Sequence, residues 1–334
     1  MEVEKNIPTL TAKDFESDQE IRWCPGCGDA AILKQMQNLL PSLGIPKEKI
    51  VFVSGIGCSS RFPYYMNTYG MHTIHGRATA IATGLKLTRP DLNVWIITGD
   101  GDALSIGGNH FIHLLRRDLN VNILLFNNQI YGLTKGQFSP TSTQHQVTKS
   151  SPFGTDDKPF NPMTLALGAG ASFVARSIDR EAKHLQEILK AGQAHTGASF
   201  VEIYQNCHIF NDGAFSMYTD RASRKNAALF LEHGKPLLFG EENQFGIKLD
   251  GHQPKIVDVK HEESLNDLWI HDESDGIKAN ILSLFFETET FPRPFGIIFQ
   301  KSSKRDIDQS QPYKEISVEQ YNHLLSGKEN WTVL

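Results

Sequence analysis

The 334-residue chain is long enough for one large domain with a smaller region or for two domains. Its 40% hydrophobic and 21% charged residues are those of an ordinary globular protein, and a formal net charge of −5 leaves no basic field for nucleic acid. No apolar run reaches membrane-spanning length, and Met1 to Glu20 is mixed polar and acidic with no apolar secretory core, so a cytoplasmic protein with no membrane partner is expected.

In chain order, residues 1–20 read as a peripheral arm. Trp23-Cys24-Pro25-Gly26-Cys27-Gly28-Asp29 precedes a helix over Ala30 to Leu40, ended by Pro41 and Gly44. Ile50 to Ser54 is a short strand running into Gly55-Ile56-Gly57-Cys58-Ser59-Ser60-Arg61. Ile74-His75-Gly76-Arg77 leads into a small-residue helix, Ala78 to Leu87. Val94 to Thr98 is a buried strand, Leu104 to Arg117 a helix and Val121 to Phe126 a second buried strand. Gln137 to Phe160, rich in Ser, Thr, Pro and Gln, is a long loop of the kind that is often functional. Met163 to Leu167 reads as helix, Ala171 to Ala175 as strand, Arg180 to Ala194 as amphipathic helix and Ser199 to Tyr204 as strand. This alternation predicts an α/β fold with a doubly wound, mostly parallel sheet. Beyond about residue 217 the expected elements are a helix over Arg221 to His233, a hairpin or edge strands over Pro236 to Leu249, a helix over Gly276 to Phe286, a strand over Phe295 to Gln300 and a charged peripheral remainder.

The chemistry concentrates between Gly99 and Thr134. Gly99-Asp100-Gly101-Asp102 follows one strand, and Asn127-Asn128-Gln129-Ile130-Tyr131-Gly132 follows the next, 25 residues after the acidic turn (Asp102 to Phe126). Strand ends at one rim face the ligand crevice of open α/β sheets. A carboxylate from Asp100 and an amide oxygen from Asn128 are hard ligands suited to Mg²⁺ that also touches phosphates, and adjacent glycines let backbone amides approach them. The only cysteines are Cys24, Cys27, Cys58 and Cys207, all in loops. A Cys-x-x-Cys is by itself compatible with zinc, redox chemistry or iron–sulfur binding, and four thiolates suit zinc and iron equally. Buried free thiols are the plain alternative.

Gly-Asp-Gly followed at this spacing by Asn-Asn resembles the thiamine diphosphate enzymes. Trp-Cys-Pro-Gly-Cys-Gly, Gly-Ile-Gly-Cys-Ser-Ser, His-Gly-Arg-Ala and a late Asn-Cys occur with it in the order of the β subunits of 2-oxoacid:ferredoxin oxidoreductases, most like the 2-oxoglutarate type. The resemblance is strong from Ile21 to Phe215 and looser beyond. It implies residues 21–217 as a thiamine diphosphate-binding domain and 218–334 as a C-terminal β-subunit region; with no obvious chemistry of its own, that region is expected to pack on the core and on a partner. By the same likeness, Asp100, Asn128 and the Ile130 carbonyl would bind Mg²⁺, and Gly101, Asp102, Tyr131, Gly132, Leu133 and Thr134 would cradle the diphosphate. Ile56, Gly57, Cys58 and Ser59 would line the cofactor, with His75 near the diphosphate, and the four cysteines would hold a [4Fe–4S] cluster. Arg61 is a candidate anchor for the 2-oxoacid carboxylate, although many members of the family have Lys there, and Lys135 for a substrate or coenzyme A anion. The implied reaction is coenzyme A-dependent oxidative decarboxylation with electrons leaving to ferredoxin. The alternatives are a pyruvate or branched-chain 2-oxoacid enzyme, a non-redox split thiamine decarboxylase or synthase, and a zinc-bound scaffold. The carboxylate that activates the thiamine ring has no recognisable place here, so an α subunit is expected to supply it.

Overall fold

A computed structural model describes residues 10–260, 267–286, 288, 290–302, 316–327 and 331. The strands are β1 (Ile50–Ser54), β2 (Tyr69–His72), β3 (Asn93–Gly99), β4 (Val121–Asn127), β5 (Phe173–Ile178), β6 (Ala198–Tyr204), β7 (Ala228–Phe230), β8 (Leu238–Phe239), β9 (Phe245–Asp250), β10 (Gln253–Asp258) and β11 (Arg293–Gln300). Eight form one sheet in the order β2-β1-β3-β4-β6-β5-β11-β7; the other three form a small antiparallel sheet, β10-β9-β8. Every pairing in the large sheet is parallel except β11 with β5. The helices are α1 (Gly28–Leu39), α2 (Ala78–Thr88), α3 (Asp100–Leu104), α4 (Gly108–Arg117), α5 (Pro162–Gly168), α6 (Ala182–Ala194), the single turns α7 (Ser216–Thr219) and α8 (Arg224–Ala227), α9 (Gly276–Ser283) and α10 (Val318–Ser326).

The period of two along the central strands explains the layering. Phe52, Trp95, Ile97, Leu124, Phe126, Val201 and Ile203 point into one core with Ile32, Leu33 and Met36 of α1 and Leu185, Ile188 and Leu189 of α6. The intervening Val51, Val53, Val94, Ile96, Ile123, Leu125 and Phe200 are equally buried, and Phe200 meets Phe111 of α4 edge-on at 5.2 Å. A parallel sheet covered on both faces needs such near-continuous apolar strands. From β1 the chain moves outward to the edge strand β2 and returns to β3 on the far side of β1. The carboxyl ends of β1 and β3 therefore frame a switch point, where open α/β sheets bind ligands.

Several expectations are corrected. The helix expected over Leu104 to Arg117 is two, α3 and α4, separated at Ser105–Gly107, where Ser105 leaves helical geometry (φ −89°, ψ −108°). Arg221 to His233 is not a helix: after the α8 turn, Leu229 is buried within β7, which pairs with β11. Tertiary pairing overrides local propensity there. β5 starts later than Ala171 to Ala175 and continues through Arg176 to Ile178. β2 is unanticipated because it is only four residues long, contains Gly70 and leaves all four residues exposed, Tyr69 and Met71 included. Within the arm, Phe15 inserts fully into the core beside Trp23, while residues 1–9 and much of the charged C-terminal remainder lie outside the described residues. Met1–Ser303 forms one compact unit and Lys304–Leu334 another. The residues after 217 contribute β7 and β11 to the main sheet.

Candidate functional site

The carboxyl ends of β1, β3 and β4 open into a cavity of about 370 Å³. Ile56, Gly57, Cys58 and Ser59 line it from β1; Gly99, Asp100, Gly101 and Asp102 from β3; Asn128, Ile130, Tyr131, Gly132, Leu133 and Thr134 from β4; and His75 from the turn before α2. The sequence-predicted cofactor and Mg²⁺ residues thus share one wall system.

Asp100 is 3% exposed, and Ser139 and Thr141 both place hydroxyls 2.5 Å from its Oδ2. Burial raises its carboxyl above the ordinary range, and the two hydroxyls pull it back down. Both come from the long loop after Gln137, whose Ser142 also donates to the Gln129 carbonyl at 2.6 Å. Nothing in the sequence distinguishes these hydroxyls from the others of that Ser/Thr-rich loop. Asp102 braces the crevice: Oδ1 accepts from the amides of Gly76 (2.7 Å) and Ile56 (3.2 Å), and Oδ2 from Thr98 Oγ1 (3.0 Å). Burial raises its carboxyl, against those donors. Asn128 Oδ1 accepts from the Ile130 amide at 3.1 Å, curling the turn so that both residues border the cavity. Gln129 holds the left-handed φ of +57° this requires. The Tyr131 hydroxyl donates to the Gly101 carbonyl at 3.1 Å, and its ring lies where a Cβ on Gly101 would be. Only glycine fits under that ring.

The four cysteines are free thiols gathered around this wall. A Cβ built on Gly132 would stand 3.5 Å from Cys207 Sγ and 3.6 Å from Cys58 Sγ, so the diphosphate turn passes beside both sulfurs. Trp23 Nε1 donates to the Cys58 carbonyl at 2.7 Å and ties the Cys24–Cys27 segment to the β1 loop. The amide of Gly28 donates to the Asn206 carbonyl at 3.1 Å and ties the same segment to the β6 loop. Burial, then the nearby Asp29 carboxylate, pushes the Cys58 thiol up to about 12 and the Cys27 thiol higher still, and both also feel the Cys207 sulfur. Cys207 is raised by burial against the amides of Phe210, Ile209 and Asn211 aimed at it. Among the described residues no three Cys, His, Asp or Glu side chains close around a single ion. Four thiols from three loops, with backbone amides pointing at the Cys207 sulfur, fit a cluster, whose irons sit at separate corners.

Arg61 lies apart, in a second cavity of about 370 Å³ with Arg22, Tyr64 and His72; that cavity shares Ile56, Gly57 and Leu133 with the first. Lys135 is exposed, lines neither cavity and adopts φ +82°.

A 2-oxoglutarate oxidoreductase subunit KorB of Mycobacterium tuberculosis is 48% identical over 96% of this chain and 88% of its own length. This chain belongs to the 2-oxoacid:ferredoxin oxidoreductase β subunits. The β subunit of 2-oxoacid:ferredoxin oxidoreductase 1 of Aeropyrum pernix is also 48% identical, over 57% of this chain and 60% of its own length. Residues 55–203 match the C-terminal thiamine pyrophosphate-binding domain of thiamine pyrophosphate enzymes, the span that holds the Asp100–Asn128 wall. A solved 2-oxoglutarate:ferredoxin oxidoreductase from Magnetococcus marinus, with 2-oxoglutarate, coenzyme A and succinyl-CoA bound, superposes with a TM-score of 0.73 at 32% identity, over 98% of this chain and 94% of that one. The fold read from the strand and helix alternation is therefore the fold of this β subunit family. Among the described residues no helix is long and apolar enough to cross a membrane.

Proposed function

We propose that this β subunit binds the Mg²⁺–diphosphate half of thiamine diphosphate and a [4Fe–4S] cluster, and that with an α subunit it oxidises 2-oxoglutarate. In that reaction 2-oxoglutarate and coenzyme A give succinyl-CoA, CO₂ and a proton, and two electrons pass singly to two ferredoxins. The observation that carries the reading is the shared wall: Gly132 belongs to the turn after Asn128 and lies beside the Cys58 and Cys207 sulfurs.

Bound thiamine diphosphate supplies decarboxylation chemistry at a 2-oxo carbon, and an adjacent cluster supplies one-electron acceptance. The chain's own residues hold and shape. Asp100, Asn128 and the Ile130 carbonyl offer three oxygens for Mg²⁺, and the Ser139 and Thr141 hydroxyls fix the Asp100 carboxylate in place. Gly101, Tyr131, Gly132, Leu133 and Thr134 form the diphosphate cradle, while Asp102 locks the Ile56 and Gly76 backbones around it. Ile56, Gly57 and Ser59 line the path between cofactor and cluster, and His75 stands at the same mouth. Cys24, Cys27, Cys58 and Cys207 ligate the cluster. Arg61, in the cavity joined to the first by Ile56, Gly57 and Leu133, would meet a substrate carboxylate, and the exposed Lys135, next in the chain after the diphosphate turn, a substrate or coenzyme A anion. The α subunit supplies the pyrimidine-binding domain and the carboxylate that activates the ring, so the isolated β chain is inactive.

An anaerobic assay of the α/β complex with coenzyme A, a viologen acceptor and a panel of 2-oxoacids tests the reading. Fastest viologen reduction with 2-oxoglutarate, absent from β alone, is expected. A preference for pyruvate or branched-chain 2-oxoacids would replace the substrate, and a colourless complex that decarboxylates without reducing viologen would replace the redox chemistry.

A further inference from the structure

Hydrocarbon fills most of the main sheet, but between β5 and β6 it buries an ion pair. Arg176 and Glu202 are register partners on adjacent parallel strands, 1% and 0% exposed, with Arg176 Nε 2.6 Å from Glu202 Oε2. Two buried charges stabilise a fold poorly unless every polar atom is satisfied. Here Arg176 lies over the Tyr204 ring at 5.2 Å and gives Nη1 to the Pro294 carbonyl at 3.1 Å, while its Nη2 is buried without a hydrogen-bond partner.

The use of the pair lies in the contact it makes beyond itself. Glu202 Oε1 accepts from Asn127 Nδ2 at 2.7 Å. A carboxylate can only accept, so the Asn127 amide must turn its NH₂ to Glu202 and its carbonyl the other way; a flipped amide would set two acceptors face to face. That carbonyl accepts from the Gln129 amide at 3.2 Å; it also lies 2.9 Å from Thr141 Oγ1, whose single proton it has to share with Asp100. Thr141 Oγ1 is the hydroxyl 2.5 Å from Asp100 Oδ2, and Gln129 sits in the turn that carries Asn128 and Ile130. Of the paired asparagines only Asn128 borders the cavity; Asn127 is fully buried.

We propose that Glu202, held by Arg176, is a positioning residue for the metal clamp: it fixes the Asn127 amide, whose carbonyl holds the Gln129 amide and so orders the Asn128–Ile130 turn. This rests on the reading of Asp100 and Asn128 as the Mg²⁺–diphosphate site. Groups that orient a ligand in this way are typically worth 10–100-fold in metal affinity.

Two double variants of the α/β complex separate positioning from stability. Arg176→Met with Glu202→Gln removes both charges and keeps an acceptor for the Asn127 amide; Arg176→Met with Glu202→Leu removes the acceptor as well. Calorimetric titration with thiamine diphosphate at fixed Mg²⁺ is read beside the unfolding midpoint of the cofactor-free complex. The Glu202→Leu pair is expected to bind about tenfold or more weakly than the Glu202→Gln pair at matching midpoints. Equal affinities, or an affinity loss that only follows a lower midpoint, overturn the proposal. If neither double variant yields folded complex, Asn127→Ala decides: about tenfold weaker binding at a matching midpoint supports the relay, and native affinity overturns it. A wild-type complex that does not bind thiamine diphosphate with Mg²⁺ refutes the proposed function itself, not the relay.

Discussion

At the ends of β3 and β4 the polar groups around the cavity are already satisfied: Asp100 receives two hydroxyls, Asp102 two amides and a hydroxyl, and Asn128 the Ile130 amide. The thiol loops beside them are in the opposite condition. Burial and the Asp29 carboxylate hold Cys27 and Cys58 protonated, and Cys24 stands exposed. The contrast shows two ways of building a cofactor site. On the proposed function, the Mg²⁺–diphosphate clamp would be preorganised by hydrogen bonds that exist without the ligand, whereas a cluster would have to displace thiol protons and would supply the positive charge that makes four neighbouring thiolates tolerable. The two halves share a wall yet should fail separately.

Asp100→Asn carries the largest expected effect. Losing the anionic ligand should weaken thiamine diphosphate binding by about a hundredfold or more, above what outer partners cost, and leave the visible absorbance of the cluster intact. Loss of both together would erase the distinction between the halves. Cys58→Ala should do the reverse: the complex loses its cluster absorbance and viologen reduction while calorimetry still records native thiamine diphosphate affinity within about threefold. Ser139→Ala removes one of the two donors on a buried carboxylate, a contribution of about 1–2 kcal/mol or roughly tenfold in affinity. The sign in pH follows: without that donor the Asp100 carboxyl rises further, so Mg²⁺-dependent binding should fall away at a higher pH than in the native protein as the solution is acidified. The smallest effect is kinetic. In cluster-free protein Cys24 should alkylate first, and Cys58 slowly, with a rate that climbs about tenfold per pH unit through pH 8–10 because its thiolate fraction is still far from saturation. Equal labelling of the two would contradict the account of the thiol loops.

Sequence reasoning reached most of the sheet and the inner face of the site for one physical reason. Apolar strands of a doubly covered sheet are local signals, and so are the residues that end them: Asp100 directly follows β3 and Asn128 directly follows β4. What escaped was non-local. Ser139 and Thr141 meet Asp100 across 39 and 41 residues of chain, and their loop offers many equivalent hydroxyls. Arg176 reads as the end of a strand because a cation inside a buried parallel strand has no local justification; its justification is Glu202, 26 residues away. The same holds for β7, whose place is set by β11 rather than by its own helix-favouring sequence.

Iron, zinc and thiamine diphosphate measured together in the anaerobically purified α/β complex test the central claim most directly. The account predicts about four iron atoms and one thiamine diphosphate per β chain, without stoichiometric zinc. One zinc and no iron, or a complex with its metal but no affinity for thiamine diphosphate, would contradict it.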